Sequence, residues 1–160
     1  MKYQKSSIYF LTYSFFASSS AIIFALYYQY FENFQPCSFC IYQRIPYILI
    51  IFVFLTYLIF KRKKYFFENI ILFLFFTSLI ISTTHFGIEQ GFWTFKTSCT
   101  NEIEDFDNIE QLRLSLMEVP IAKCDEILWS YKGISMAGYN VLFSLINVLL
   151  SIFYRYKVRS

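Results

Sequence analysis

Cys37-Ser38-Phe39-Cys40 places two thiols one short turn apart, and the remaining cysteines, Cys99 and Cys124, stand far down the chain. Four cysteines split two and two read as two pairs. Zinc is a poor fit, because a structural zinc site usually uses two tight knuckles and only one is present here. Haem attachment needs a histidine directly after the second cysteine of the tight pair, and Ile41 stands there. Two purely structural disulfides remain an alternative. Against them, a Cys-x-x-Cys ring is small, strained and readily reduced, which suits a redox couple better than a brace. Cys40 falls where a helix begins, and free N–H groups with the positive end of the helix dipole favour a thiolate there. Arg44 follows one turn later on the same face. It either stabilises that thiolate, polarises an electron acceptor or anchors the helix at a membrane surface. Pro36 can open a helix at Cys37, and Pro46 can mark a second start or a kink.

The elements that carry these residues are those of a membrane protein. Apolar residues make up 57% of the 160 and charged residues only 16%, against roughly 45–50% and 25% in soluble domains. Lipid is the alternative solvent for the excess apolar surface. A span needs about 20 apolar residues, and four stretches qualify, over residues 8–29, 41–60, 68–87 and 134–154. They predict an all-α integral membrane fold. It is a four-transmembrane-helix bundle forming one domain over 1–160, with outer loops at 30–40 and 88–133. Lys2 and Lys5, the run Lys61 to Lys64, and Arg155, Lys157 and Arg159 all fall on one side, while nine of the 11 acidic residues lie between Glu89 and Glu126 on the other. The positive-inside rule then places both termini in the cytoplasm and every cysteine outside the cytoplasmic membrane, which in a bacterium is the periplasm. Disulfides persist in that compartment. The net charge of +3 averages two opposed faces and gives no argument for nucleic acid. The first span is long for a signal sequence and lacks a clear small-x-small exit.

Within the long loop, Phe106, Ile109, Leu112 and Leu116 recur at helical spacing, either as a helix on the membrane surface or as a solvated acidic one. Ser14 and Ser18 suit close helix packing and hydrogen bonds between helices. Asn140 and Asn147 share one face of the fourth helix and point into the bundle, as helix-to-helix contacts or behind a ligand. There is no Gly-rich nucleotide motif, and no cysteine or histidine set for an iron–sulfur cluster or haem. Thiols at a membrane surface, beside a cation and many aromatics, point instead to a lipid-soluble acceptor, and a quinone fits. His85, the one histidine of the chain, falls at the outer end of the third span, at the depth of Cys40 and Arg44. It is placed to hydrogen-bond a quinone oxygen or to move a proton, with a structural role as the alternative.

The run Pro36-Cys37-Ser38-Phe39-Cys40-Ile41-Tyr42-Gln43-Arg44 resembles the signature of the DsbB family, the bacterial disulfide bond formation proteins. His85 to Trp93 is similar to the end of that family's third helix. Cys124-Asp125-Glu126 with Trp129, followed by Ser135 to Asn140, is similar to its second loop cysteine and the start of its fourth helix. The resemblance covers nearly the whole chain. It implies a thiol:quinone oxidoreductase that re-oxidises a periplasmic DsbA-type dithiol protein and uses ubiquinone or menaquinone. It further implies a route. Cys99 would take electrons through a mixed disulfide, Cys124 would be freed to attack Cys37, and Cys40 would be left as a thiolate facing the quinone. Arg44 would position the quinone. Gln43 is given no role by the resemblance. A vitamin K epoxide reductase-like oxidase shares the bundle and the Cys-x-x-Cys chemistry but fits the signature less well. A non-enzymatic membrane scaffold with structural disulfides is the alternative from another class.

Overall fold

A computed structural model describes residues 2–60, 64–92, 124, 127 and 129–159. Cys99, the acidic stretch around Phe106 and the basic residues Lys61 to Lys63 lie outside the described residues. Four long helices account for nearly all of the rest: α1 (Lys2–Tyr30), α2 (Ser38–Phe60), α3 (Lys64–Glu89) and α4 (Met136–Arg159). All four are long and apolar enough to cross a membrane. Large apolar side chains face outward from every helix, among them Tyr9, Phe16, Ile59, Phe73 and Phe153. A soluble monomer rarely exposes contiguous apolar surface on this scale, whereas lipid accepts it.

Helix α3 packs most extensively, against α4 and α2, and α1 leans mainly on α2. The apolar core gathers Leu11, Ile50, Ile71, Phe75 and Val148. Beside it run buried small polar residues: Ser14 and Ser18 on α1, Ser78 and Ser82 on α3, and Ser144, Asn147 and Ser151 on α4. Small side chains let helix backbones approach, and a hydroxyl away from water gains from a partner inside the protein. Ser78 and Ser144 meet across α3 and α4 at 3.0 Å. The expectation for α1 holds only for packing. Ser14 is fully buried, but its hydroxyl donates to the Phe10 carbonyl of its own helix at 2.9 Å.

Two helix starts shape the site. The Cys37 sulfur accepts the backbone N–H of Cys40 at 3.3 Å, and the Cys37 carbonyl takes the N–H of Ile41, also at 3.3 Å. Cys37 is therefore the N-cap residue of α2, with sulfur in the place of the usual oxygen. Pro36 stands just before it, and Pro46 sits inside the continuous helix. Ahead of α4, Ser130–Tyr131 (β1) and Ile134–Ser135 (β2) pair as a small antiparallel hairpin. Lys132 and Gly133 turn it, both at positive φ (51° and 77°), as a two-residue hairpin turn requires. Ser135 then caps α4, its hydroxyl oxygen taking the N–H of Gly138 at 3.1 Å. The same hydroxyl donates to the carboxylate of Glu89, in the last turn of α3.

Candidate functional site

At the end of the bundle where α2 and α4 begin and α3 stops, Cys37, Cys124 and Ile88 form a buried cluster, with Phe39 and Cys40 packed against it. Cys37, Cys40 and Cys124 are free thiols. The Cys37 thiol donates to Cys40 sulfur at 3.1 Å. Cys124 is brought from far along the chain to the first turn of α2, where the backbone N–H groups of Phe39 and Ser38 point at its sulfur. Three sulfurs thus occupy the open N-terminus of one helix, the place where unsatisfied donors and the dipole favour negative charge.

Despite that setting, two of the thiols hold their protons. Cys37 is pushed up to about 12, first by the hydrogen bond it donates to Cys40 and then by burial, with His85 pulling the other way. Burial pushes Cys124 up to about 11, opposed by the Phe39 and Ser38 amides.

His85 is buried, and its Nε2 lies 3.4 Å from Cys37 sulfur. The ring of Phe39 stacks on the imidazole at 5.7 Å. Glu89, one turn further along α3, brings a carboxylate oxygen within 3.7 Å of the same Nε2. On the other side of the ring, Nδ1 meets the side-chain nitrogen of Gln43 at 2.8 Å. Arg44 is half-buried and donates from Nη1 to Gln29 of α1 at 2.5 Å. That partner is neutral and takes one of the five guanidinium donors.

Cys37, Cys40, Gln43, Arg44, His85, Glu89 and Gln29 line one cavity of about 740 Å³, whereas Phe39, Ile88 and Cys124 do not. Its far wall is α1, through Ala21, Phe24, Ala25 and Tyr28, and its rim carries Trp129 and Tyr139. An apolar chamber with a few convergent polar groups at one end is the ordinary form of a small-molecule site. The structure therefore gathers Cys37, Cys40, Cys124, Arg44 and His85 at one place, while Cys99 lies outside the described residues. Sequence reasoning gave Gln43 no role and did not single out Glu89 or Tyr47. Asn140 faces the bundle as read, in contact with α2, and there joins the site, donating to Gln43 at 2.9 Å and accepting from Tyr47 at 2.5 Å. The available signal was spacing: His85 and Glu89, and Gln43 and Tyr47, each stand one turn apart on one helix face.

The family model described as disulfide bond formation protein DsbB matches residues 7–154. A relative from Rickettsia prowazekii (strain Madrid E), described only as an uncharacterized protein, is 30% identical over 154 residues, which is 95% of this chain and 86% of its own length.

Proposed function

This chain belongs to the DsbB family of disulfide bond formation proteins, and on that premise we propose that it is a thiol:quinone oxidoreductase of a bacterial inner membrane. It re-oxidises a periplasmic DsbA-type dithiol protein and passes two electrons through two cysteine pairs to a membrane quinone. Both termini lie in the cytoplasm, and the cysteines face the periplasm, Cys37 and Cys40 at the start of α2 and Cys99 and Cys124 in the long segment between α3 and α4. The observation that carries this reading is the meeting of Cys37, Cys40 and Cys124 at one end of the bundle, with Cys37 and Cys40 lining an apolar cavity that Arg44 also lines.

Cys99 and Cys124 form the outer pair and Cys37 and Cys40 the inner one. The donor dithiol opens the outer disulfide by attack on Cys99, and the Cys124 thiolate is released. Cys124 then attacks Cys37: a Cys124–Cys37 bond forms, the Cys37–Cys40 bond breaks, and Cys40 leaves as the thiolate. Thiolate supply, leaving group and access set the rate of such an exchange. The burial that raises the Cys124 thiol keeps this attack slow until its proton is removed. A bound quinone supplies the two-electron sink. Arg44, held by Gln29, is placed to fix a carbonyl oxygen, and the α1 wall to take an apolar ring. The residues present fit such a group, since the cavity is mostly apolar with its cation and thiol at one end.

The test is quinone reduction by the purified chain with a reduced periplasmic dithiol protein as donor, for native protein and for Cys40→Ser. Turnover that disappears in the variant supports the reading. No turnover by the native chain with either ubiquinone or menaquinone overturns it.

A further inference from the structure

The imidazole of His85 is held from both sides, and the order of donors along that hold has a chemical meaning. Tyr47 donates its hydroxyl to the Asn140 side-chain oxygen, and Asn140 donates its amide N–H to the Gln43 side-chain oxygen. With its oxygen so engaged, Gln43 turns its amide nitrogen to His85 Nδ1 at 2.8 Å. An amide nitrogen donates and does not accept. Nδ1 must therefore carry the lone pair, and the proton of the neutral ring must sit on Nε2. Nε2 is the atom that lies 3.4 Å from Cys37 sulfur.

We propose that Gln43 is a positioning residue that locks His85 as the Nε2–H tautomer, making the imidazole a hydrogen-bond donor to Cys37 sulfur rather than a base that takes its proton. The inference rests on the exchange reading above. When Cys124 attacks Cys37, one negative charge spreads over the line of three sulfurs. The Nε2–H donates to the central one throughout, and His85 neither gains nor loses a proton. Fixed donors aimed at developing charge in a water-poor site need no reorganisation when the reaction occurs. The other ionisable groups facing this spot are Cys40 and Cys124 on the sulfur side, and Glu89, 3.7 Å from Nε2 and bonded to Ser135. Arg44 is tied to Gln29.

The same geometry speaks against a metal ion, although the ligand atoms of Cys37, Cys40 and His85 lie within 4.8 Å of one another. A metal-bound histidine ordinarily donates its second ring N–H to an acceptor. Here that second nitrogen faces a donor.

Because His85 is the only histidine, full-length protein labelled with 15N-histidine and purified through a histidine-free tag reports on this ring alone. The native neutral ring is expected to show Nε2 protonated and Nδ1 bare. Gln43→Glu, whose carboxylate accepts, is expected to move the proton to Nδ1. Gln43→Met, which removes both polar atoms, is expected to give a mixture. In a steady-state assay the Gln43→Glu variant should lose roughly tenfold in turnover, the worth of one hydrogen bond to a charged group. A native ring protonated at Nδ1 overturns the assignment without recourse to any variant. A tautomer that moves while turnover stays native overturns the role. Absence of turnover in the native chain counts instead against the oxidase reading, since the NMR result does not depend on activity.

Discussion

In the proposed exchange, the step that the proton on Cys124 governs is the attack on Cys37. With its thiol pushed up to about 11, the thiolate fraction at neutral pH is about one part in 10⁴, and it rises about tenfold per pH unit. The rate of Cys124 attack on Cys37, followed by acid quenching and thiol mapping, should therefore climb with that slope between roughly pH 6 and 10. A flat profile would mean that the burial seen here is relieved before attack. Arg44→Ala should raise the Michaelis constant for quinone by about tenfold, the scale of one charge-assisted hydrogen bond. An unchanged constant would reduce Arg44 to a membrane anchor. The gathering of Cys37, Cys40, Arg44 and His85 could be anticipated because their residue types and the tight spacing of the first three suit few other tasks. The polar hold on His85 could not. Gln43 and Asn140 are ordinary amides, and what gives them meaning is a pairing across 97 positions of chain, which no local pattern records.

Among the elements, the join between α3 and α4 is the most exacting. Gly138 stands where an added Cβ would lie 2.8 Å from Ile134 Cγ2 and 3.1 Å from the Phe86 ring. Ile134 is β-branched and yields poorly. Overpacking of this kind costs about 1–3 kcal/mol, and the helical gain of alanine over glycine returns up to about 1 kcal/mol. Gly138→Ala should thus lower the unfolding midpoint in detergent, and a rise would show that the contact relaxes freely. Ser135→Ala removes the α4 cap and the hydroxyl held by Glu89, at a cost of about 1 kcal/mol. The same melting experiment checks it, and a midpoint equal to native would show that the cap contributes nothing. Four apolar spans were plain from hydropathy. The cap by a cysteine was not, because sulfur is rare in that role. The hairpin before α4 was missed because two strand residues on each side leave too short a pattern to read. Only the Lys132-Gly133 pair hinted at the turn.

For the whole molecule, the charge pattern argues an orientation that a labelling experiment can decide. A membrane-impermeant maleimide added to intact cells under reducing conditions should modify Cys99. Protection of Cys99 until the cells are lysed would invert the proposed topology. The bundle itself follows from composition, since a chain this apolar has no other way to cover its surface than lipid. The order of packing, with α3 against both α2 and α4, depends on the buried serines and amides and could only be seen in three dimensions. The docking of Cys124 on the first turn of α2 has a kinetic consequence. If Cys124 attacks Cys37 as proposed, a sulfur already seated beside its target reacts as part of one molecule, with an effective molarity that owes nothing to how much protein is present. Dilution should slow the meeting with the donor dithiol and leave the inner exchange untouched. A cell holding few copies of this protein therefore sacrifices capture rate alone.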